Sequence, residues 1–243
     1  IQNWLNRTNR FKKIILPILE QENVPPELFY LAMIESGLNP NAYSYAHASG
    51  VWQFISSTGK MYGLDRSYHI DERLDFEKST RAAATYLKDL YAEFDDWYLA
   101  FAAYNSGSGR VRKAIRRHGT RDYWKLYSLP KETRNYVPNI MAAIFISKNP
   151  EKYGFTPNPL PDLEWNVKDL DKSVSVKQIS ECSNISVKEL RFYNPELKHG
   201  IVPPLKENEV YKFRLPVNAS ENFDSLFALI AVSYTHLTLP TKA

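Results

Sequence analysis

Residues 97–105, Trp-Tyr-Leu-Ala-Phe-Ala-Ala-Tyr-Asn, form a run that is apolar on nearly every side when wound as a helix. A helix without a polar face belongs in the middle of a domain, so its neighbours must wrap it. The flanking sequence supplies them. Residues 1–22 repeat Trp4, Leu5, Phe11, Ile14, Ile15 and Ile18 at roughly helical spacing, and Pro17 predicts a break or kink within that run. Pro25-Pro26 opens a second helix that ends near Glu35. From Asp75 to Phe94, Ala82, Ala83, Tyr86, Leu87 and Leu90 share one face, with Asp75 as the cap. Gly109 to His118 is stopped by Gly119, and Pro130 to Ser147 is closed by Asn149-Pro150. The first 150 residues read as an all-α domain.

The rhythm then changes. Residues 151–163 are rich in proline and turn formers and read as a linker. Residues 164–217 read as a small α+β module. A strand at Trp165-Asn166-Val167 is followed by short helices near Val176–Cys182 and Val187–Tyr193, then a strand at Tyr211–Pro216. Residues 218–243 read as a tail. Its last dozen, 232–243, fit nothing before them and look like translated sequencing adapter, excluded from the fold.

One acid stands out within the helical part. Glu35 ends the apolar run Leu28–Ile34 and is followed at once by Ser36-Gly37-Leu38-Asn39-Pro40. A carboxyl group at that point is half-buried at the mouth of a cleft, and burial disfavours its charged form. Its pKa then rises toward neutrality, as a general acid requires. Glycoside cleavage is a chemistry that uses an acid held in this way.

The same residues carry a family resemblance. Glu35-Ser-Gly-x-Asn-Pro-x-Ala-x-Ser44, followed by Ala48-Ser-Gly-Val-Trp-Gln53, resembles the catalytic signature of the soluble-lytic-transglycosylase family, and within it the membrane-bound enzymes. Thr58–Leu64, Ala102-Ala-Tyr-Asn-Ser-Gly107 and Glu132-Thr-Arg-Asn-Tyr-Val-Pro138 resemble the family's later segments, in the same order. The resemblance covers roughly residues 1–150 and implies a lysozyme-like fold, shared with goose-type lysozyme. Residues 164–217 are similar to a LysM module, with Lys172-Ser173-Val174-Ser175 in place of the usual Gly-Asp-Thr turn. The fold class expected is therefore mainly α: a lysozyme-like catalytic domain, then a degenerate LysM-like module.

The resemblance also assigns roles. Glu35 is the catalytic acid, then base, in cleavage of the MurNAc–GlcNAc β-1,4 bond of peptidoglycan. The sugar's own C6 hydroxyl closes a 1,6-anhydro ring, so no second carboxylate is needed. Ser44 and Gln53 match polar positions of the substrate groove. Tyr104 is expected to hold the glutamate or an N-acetyl group, Asn105 to contact sugar or end its helix, and Tyr136 to border Glu35. Trp52 stands where many relatives have Met and reads as core; His47 stands where many have Gly. Two alternatives remain open. A goose-type muramidase would need a carboxylate across the cleft, with Asp71, Glu72 and Asp75 as candidates, and a cell-wall-binding protein would have lost activity.

Composition narrows the partners. The net charge is +4, with a basic cluster at Arg110, Arg112, Lys113, Arg116 and Arg117. That cluster reads as a solvated helix face or as a contact for anionic glycan, with no nucleic-acid motif beside it. The five histidines show no metal-ligand spacing, and neither metal nor cofactor is expected. Cys182 is the single cysteine and reads as a small core residue. No apolar run approaches the roughly 18 residues of a membrane span. The chain starts at Ile1, so an export signal or membrane anchor is expected upstream, with a periplasmic place in the bacterial envelope and a monomeric state.

Overall fold

The computed structural model describes residues 1–230. The chain divides into two compact units: residues 1–66 with 72–162, and residues 67–71 with those from Leu163 onward. The stretch 232–243 lies outside the described residues.

The first unit is built of helices. α1 (Gln2–Gln21) buries Leu5, Phe11, Ile14, Ile15, Ile18 and Leu19. It runs through Pro17 without a break, where a break or kink was expected. Pro17 has no N–H to donate back along the helix, and it lies on the solvent-exposed side, where that gap is tolerated. After a 3-10 turn at Pro26–Leu28 comes α2 (Phe29–Ser36), ended by Gly37 in the left-handed region. The helix expected from Pro25 is thus split, and its α part is only eight residues long. α3 (Ser56–Met61) is a short helix that the sequence pattern did not announce. α4 (Phe76–Phe94) is capped by Asp75, whose carboxylate accepts from the N–H groups of Glu77 and Lys78. α5 (Trp97–Ser106) is the apolar helix, capped by Asp96. It packs against α4, α6 (Ser108–His118) and α7 (Lys131–Lys148), which is the central position its composition demands.

The proline-rich stretch after α7 is laid along α1. Asn158 N–H donates to Asn6 Oδ1 at 2.8 Å, Leu160 N–H to Asn6 O at 2.8 Å, and Arg10 Nε to Pro161 O at 2.7 Å. Gln2 Nε2 adds a bond to Thr156 O at 2.8 Å. Prolines cannot donate, so the neighbouring residues supply the contacts.

The second unit pairs β1 (Trp165–Leu170) with β2 (Tyr211–Pro216) in antiparallel register, Trp165 opposite Pro216 and Leu170 opposite Tyr211. Between them lie α8 (Val176–Ser183), opened by a Ser175–Gln178 capping box, and α9 (Val187–Tyr193), capped by Ser186. The core gathers Leu170, Ile179, Leu190, Phe213 and Leu215. The segment read as a tail contributes α10 (Phe223–Ala228), which buries Phe223 and Phe227 in that core. Lys172, in the stretch that replaces the Gly-Asp-Thr turn, donates to Ile230 O at 2.9 Å and lies 4.8 Å from the Phe227 ring centre. Among the described residues no helix is long and apolar enough to cross a membrane.

Candidate active site

A cleft of about 870 Å³ opens in the helical unit, and Glu35 lines it together with Ser44, Gln53, Tyr104, Asn105 and Tyr136. Four stretches of chain thus bring six sequence-selected residues to one cleft. Their positions follow from local constraints. Glu35 lies in the last turn of α2. The next residue, Ser36, accepts from Asn39 N–H and donates to Val51 O at 2.8 Å, which ties the helix end to the following loop. Gly37 has φ +61°, and a Cβ there would stand 2.3 Å from Trp4 Nε1. Only glycine turns the chain so tightly beneath the Trp4 indole. Arg7 Nη1 fixes the turn through Gly37 O at 3.0 Å.

The loop from Asn39 to Ile55 is pinned from below by Arg73, a buried cation whose Nη1 donates to His47 O at 2.9 Å and Phe54 O at 3.0 Å. Gly50, at φ +82°, lies so close that a Cβ would come within 2.0 Å of Arg73 O. At Gln53 the backbone has φ 50°, in the left-handed region that non-glycine residues seldom occupy. That conformation lets Gln53 Nε2 reach Gly50 O at 2.8 Å and Ala42 O at 3.2 Å. Both bonds use the amide nitrogen, which leaves Oε1 as the open acceptor. Ser44 Oγ accepts from Ala48 N–H at 3.1 Å, a turn bond that still leaves its proton to donate. Trp52 is fully buried, its indole donating to Thr80 Oγ1 at 2.8 Å, as suits a core residue. His47 is exposed, its Nδ1 bonded to the Tyr43 hydroxyl.

The hydroxyl that bonds Glu35 belongs to Tyr136, which donates to Oε1. Tyr104, expected to hold the glutamate or a ligand, donates instead to Trp52 O at 2.7 Å. Asn105 Oδ1 accepts from Thr133 Oγ1 at 2.8 Å, so its amide nitrogen is the group left for a ligand. On α7, Glu132, Tyr136 and Asn139 stand at i, i+4 and i+7, one face of the helix, and all three line the cleft. Glu132 opens the motif Glu132–Pro138 but gains no role from it; its helical register with Tyr136 was the available signal. Tyr86 also lines the cleft, its ring 5.2 Å from that of Tyr104.

Electrostatics follow from this packing. Glu35 is half-buried, and desolvation pushes its pKa up to about 7. The Tyr136 hydrogen bond opposes the rise, and the nearby Glu132 charge reinforces it. Burial holds the hydroxyls of Tyr104 and Tyr136 well above the usual phenol range, with the Glu35 charge adding to it. Both tyrosines therefore stay protonated as donors.

The second carboxylates considered from sequence lie elsewhere. Asp75 is spent capping α4. Glu72 accepts from Asp65 N–H at 2.8 Å and pairs with Lys78. Asp71 is buried in the second unit. None lines the cleft.

A half-buried glutamate with a near-neutral pKa, a tyrosine on its oxygen and amide groups lining the same cleft can be set beside known proteins. The transglycosylase SLT domain matches residues 14–127, and the LysM-like domain of lytic transglycosylase MltD matches residues 167–232. Membrane-bound lytic murein transglycosylase D of Escherichia coli strain K12 is 39% identical over 189 residues, covering 74% of this chain and 41% of that protein. The chain belongs to the lytic transglycosylase family. The soluble lytic murein transglycosylase of the same strain is 32% identical over 120 residues, covering 46% of this chain and 19% of that protein. The solved 70 kDa soluble lytic transglycosylase of Escherichia coli aligns at 28% identity with a TM-score of 0.47, covering 62% of this chain and 25% of that one. This lytic transglycosylase family member thus spans less than half the length of either of these two curated relatives. Its SLT match includes Glu35, Ser44, Gln53, Tyr104 and Asn105, and ends before the α7 residues Glu132 and Tyr136.

Proposed function

We propose that the helical unit cleaves the β-1,4 bond between N-acetylmuramic acid and N-acetylglucosamine in peptidoglycan, forming a 1,6-anhydro end, in the bacterial cell envelope. The observation that carries this reading is the state of Glu35. With a pKa of about 7 it is substantially protonated near neutrality, as a general acid to the glycosidic oxygen must be. Tyr136 holds Oε1 and so fixes the direction of the carboxyl group. Once its proton has gone to the leaving oxygen, the same carboxylate takes the proton of the C6 hydroxyl as that oxygen closes on C1. The attack is intramolecular, so it gains from high effective molarity and needs no activated water. Gln53 Oε1 and the Asn105 amide nitrogen supply an acceptor and a donor for acetamido groups, and the Ser44 hydroxyl adds a donor. The relatives' names place them on murein, in agreement with this substrate.

One observation favours a second reading. Glu132 lines the cleft, exposed to solvent. A carboxylate there is a candidate base for water, which would make the reaction a hydrolysis. Replacing Glu35 with Gln retains the shape and removes the proton; the proposal requires turnover of purified sacculi to disappear. Turnover by Glu35→Gln at the parent rate would overturn the assignment of the acid.

A further inference from the structure

The basic helix α6 is the feature that the cleft chemistry leaves unused. Residues 107–131 hold eight Lys or Arg and one acid, a formal +7 in a chain whose total is +4, so the remainder carries −3. Elsewhere in the helical unit cations find acids, Lys78 with Glu72 and Arg81 and Lys88 with Glu22, and within the segment Arg112 pairs with Glu93 and Lys125 with Asp122. Arg110, Lys113, Arg116 and Arg117 are exposed and have no acidic partner among the described residues. Arg110, Lys113 and Arg117 fall at i, i+3 and i+7, a single exposed stripe running beside the buried Val111 and Ala114. This arrangement is unfavourable for the helix by itself. Arg110 sits in a first turn that has no acid, against the helix dipole, and the cations repel one another at i, i+3 and i+4, although Arg116 and Arg117 in the last turn suit the dipole. An anion laid along the stripe removes that cost.

We propose that this stripe receives the carboxylate-bearing peptide branches of the glycan strand held in the cleft, an inference that rests on the peptidoglycan reading above. Two observations select this partner. The helix begins at the cleft itself: Ser106 and Gly107, its N-cap, line the cleft wall, and α6 runs on from there for roughly 16 Å at 1.5 Å per residue. A branch leaving the strand near Asn105 therefore meets Arg110 first. The outward face of α6 is also purely polar. Gly109, Arg110, Arg112, Lys113, Arg116 and Arg117 include no aliphatic wedge for a bilayer and no aromatic ring for a nucleobase. Such a face fits a hydrated polyanion whose charges are spaced along a chain.

The test is binding by the Glu35→Gln protein, with and without Arg110→Gln, Lys113→Gln and Arg117→Gln together. The probes are peptide-bearing sacculi and glycan strands stripped of peptides by an amidase. The triple substitution weakens binding to peptide-bearing sacculi about tenfold at low salt, an effect that added salt erases. Binding to stripped strands stays unchanged. A variant with Arg110→Lys and Arg117→Lys retains the charge and keeps the parent affinity. Equal loss on both probes, no loss on either, or loss only for phosphatidylglycerol vesicles would overturn the proposal. These outcomes do not depend on turnover, so failure of the parent to cleave sacculi is read separately as failure of the proposed reaction.

Discussion

Burial of Glu35 has a thermodynamic cost that can be measured without any substrate. Its carboxyl titrates at about 7 in the folded protein against an ordinary value of 4.5. Below 4.5 the group is protonated in both folded and unfolded states, and it contributes nothing. Between those values the folded state binds more protons than the unfolded one, so stability falls as pH rises, at about 1.4 kcal/mol per pH unit. Above 7 the fall is complete and amounts to about 3 kcal/mol, the product of the shift and that slope. Glu35→Gln has no charge to bury. Relative to the parent, it therefore gains nothing at pH 4 and up to about 3 kcal/mol at pH 8. For a unit of this size that is a rise in Tm of roughly 6–12 °C at the higher pH. Thermal melts followed by circular dichroism at pH 4, 5, 6, 7 and 8 read the difference directly. A Tm difference that is the same at every pH would refute the reasoning, because Glu35 would then carry no perturbed proton.

Three further outcomes follow from the geometry. Tyr136→Phe removes the hydrogen bond that favours the Glu35 carboxylate. The alkaline limb of the pH–rate profile should therefore move upward, while the loosened acid lowers kcat roughly 10- to 100-fold. Glu132→Gln removes a like charge and lowers the Glu35 pKa, so turnover at pH 8 drops relative to pH 6, a ratio that steady-state rates on sacculi report. Gly50→Ala places a Cβ 2.0 Å from Arg73 O at a positive φ, and chemical denaturation should show a loss of about 3 kcal/mol or more, or no folded protein at all.

Much of the helical unit was legible because its helices carry strong local signals. Asp75 and Gly119 mark ends by capping chemistry, and the apolar stretch at 97–105 demanded a central place, which α5 has. Of the break or kink expected at Pro17, a break is absent: Pro17 is on the exposed side of α1 and buried residues flank it on both sides. α3 and α10 are six residues each, too short for periodicity to show. Phe223 and Phe227, four apart, were the visible hint of the second. Within the cleft, residue types were readable but pairings were not. That Tyr136 bonds Glu35 while Tyr104 turns to Trp52 O depends on how α5 and α7 face the loop at 49–54, a tertiary fact with no local signature. Glu132 was passed over for a related reason. Sequence proximity to the Gly63 loop drew attention to Asp71, Glu72 and Asp75, whose carboxylates are occupied in capping, ion pairs or the second unit.

The fate of the oxygen at the cleaved bond tests the account most directly. Sacculi digested in water enriched in oxygen-18 and analysed by mass spectrometry should yield muramic acid ends with no heavy oxygen and the mass of the internally dehydrated sugar. Reducing ends carrying one heavy oxygen would mean that water, not the C6 hydroxyl, attacks C1, and the role given to Glu35 as a base toward the sugar would be wrong.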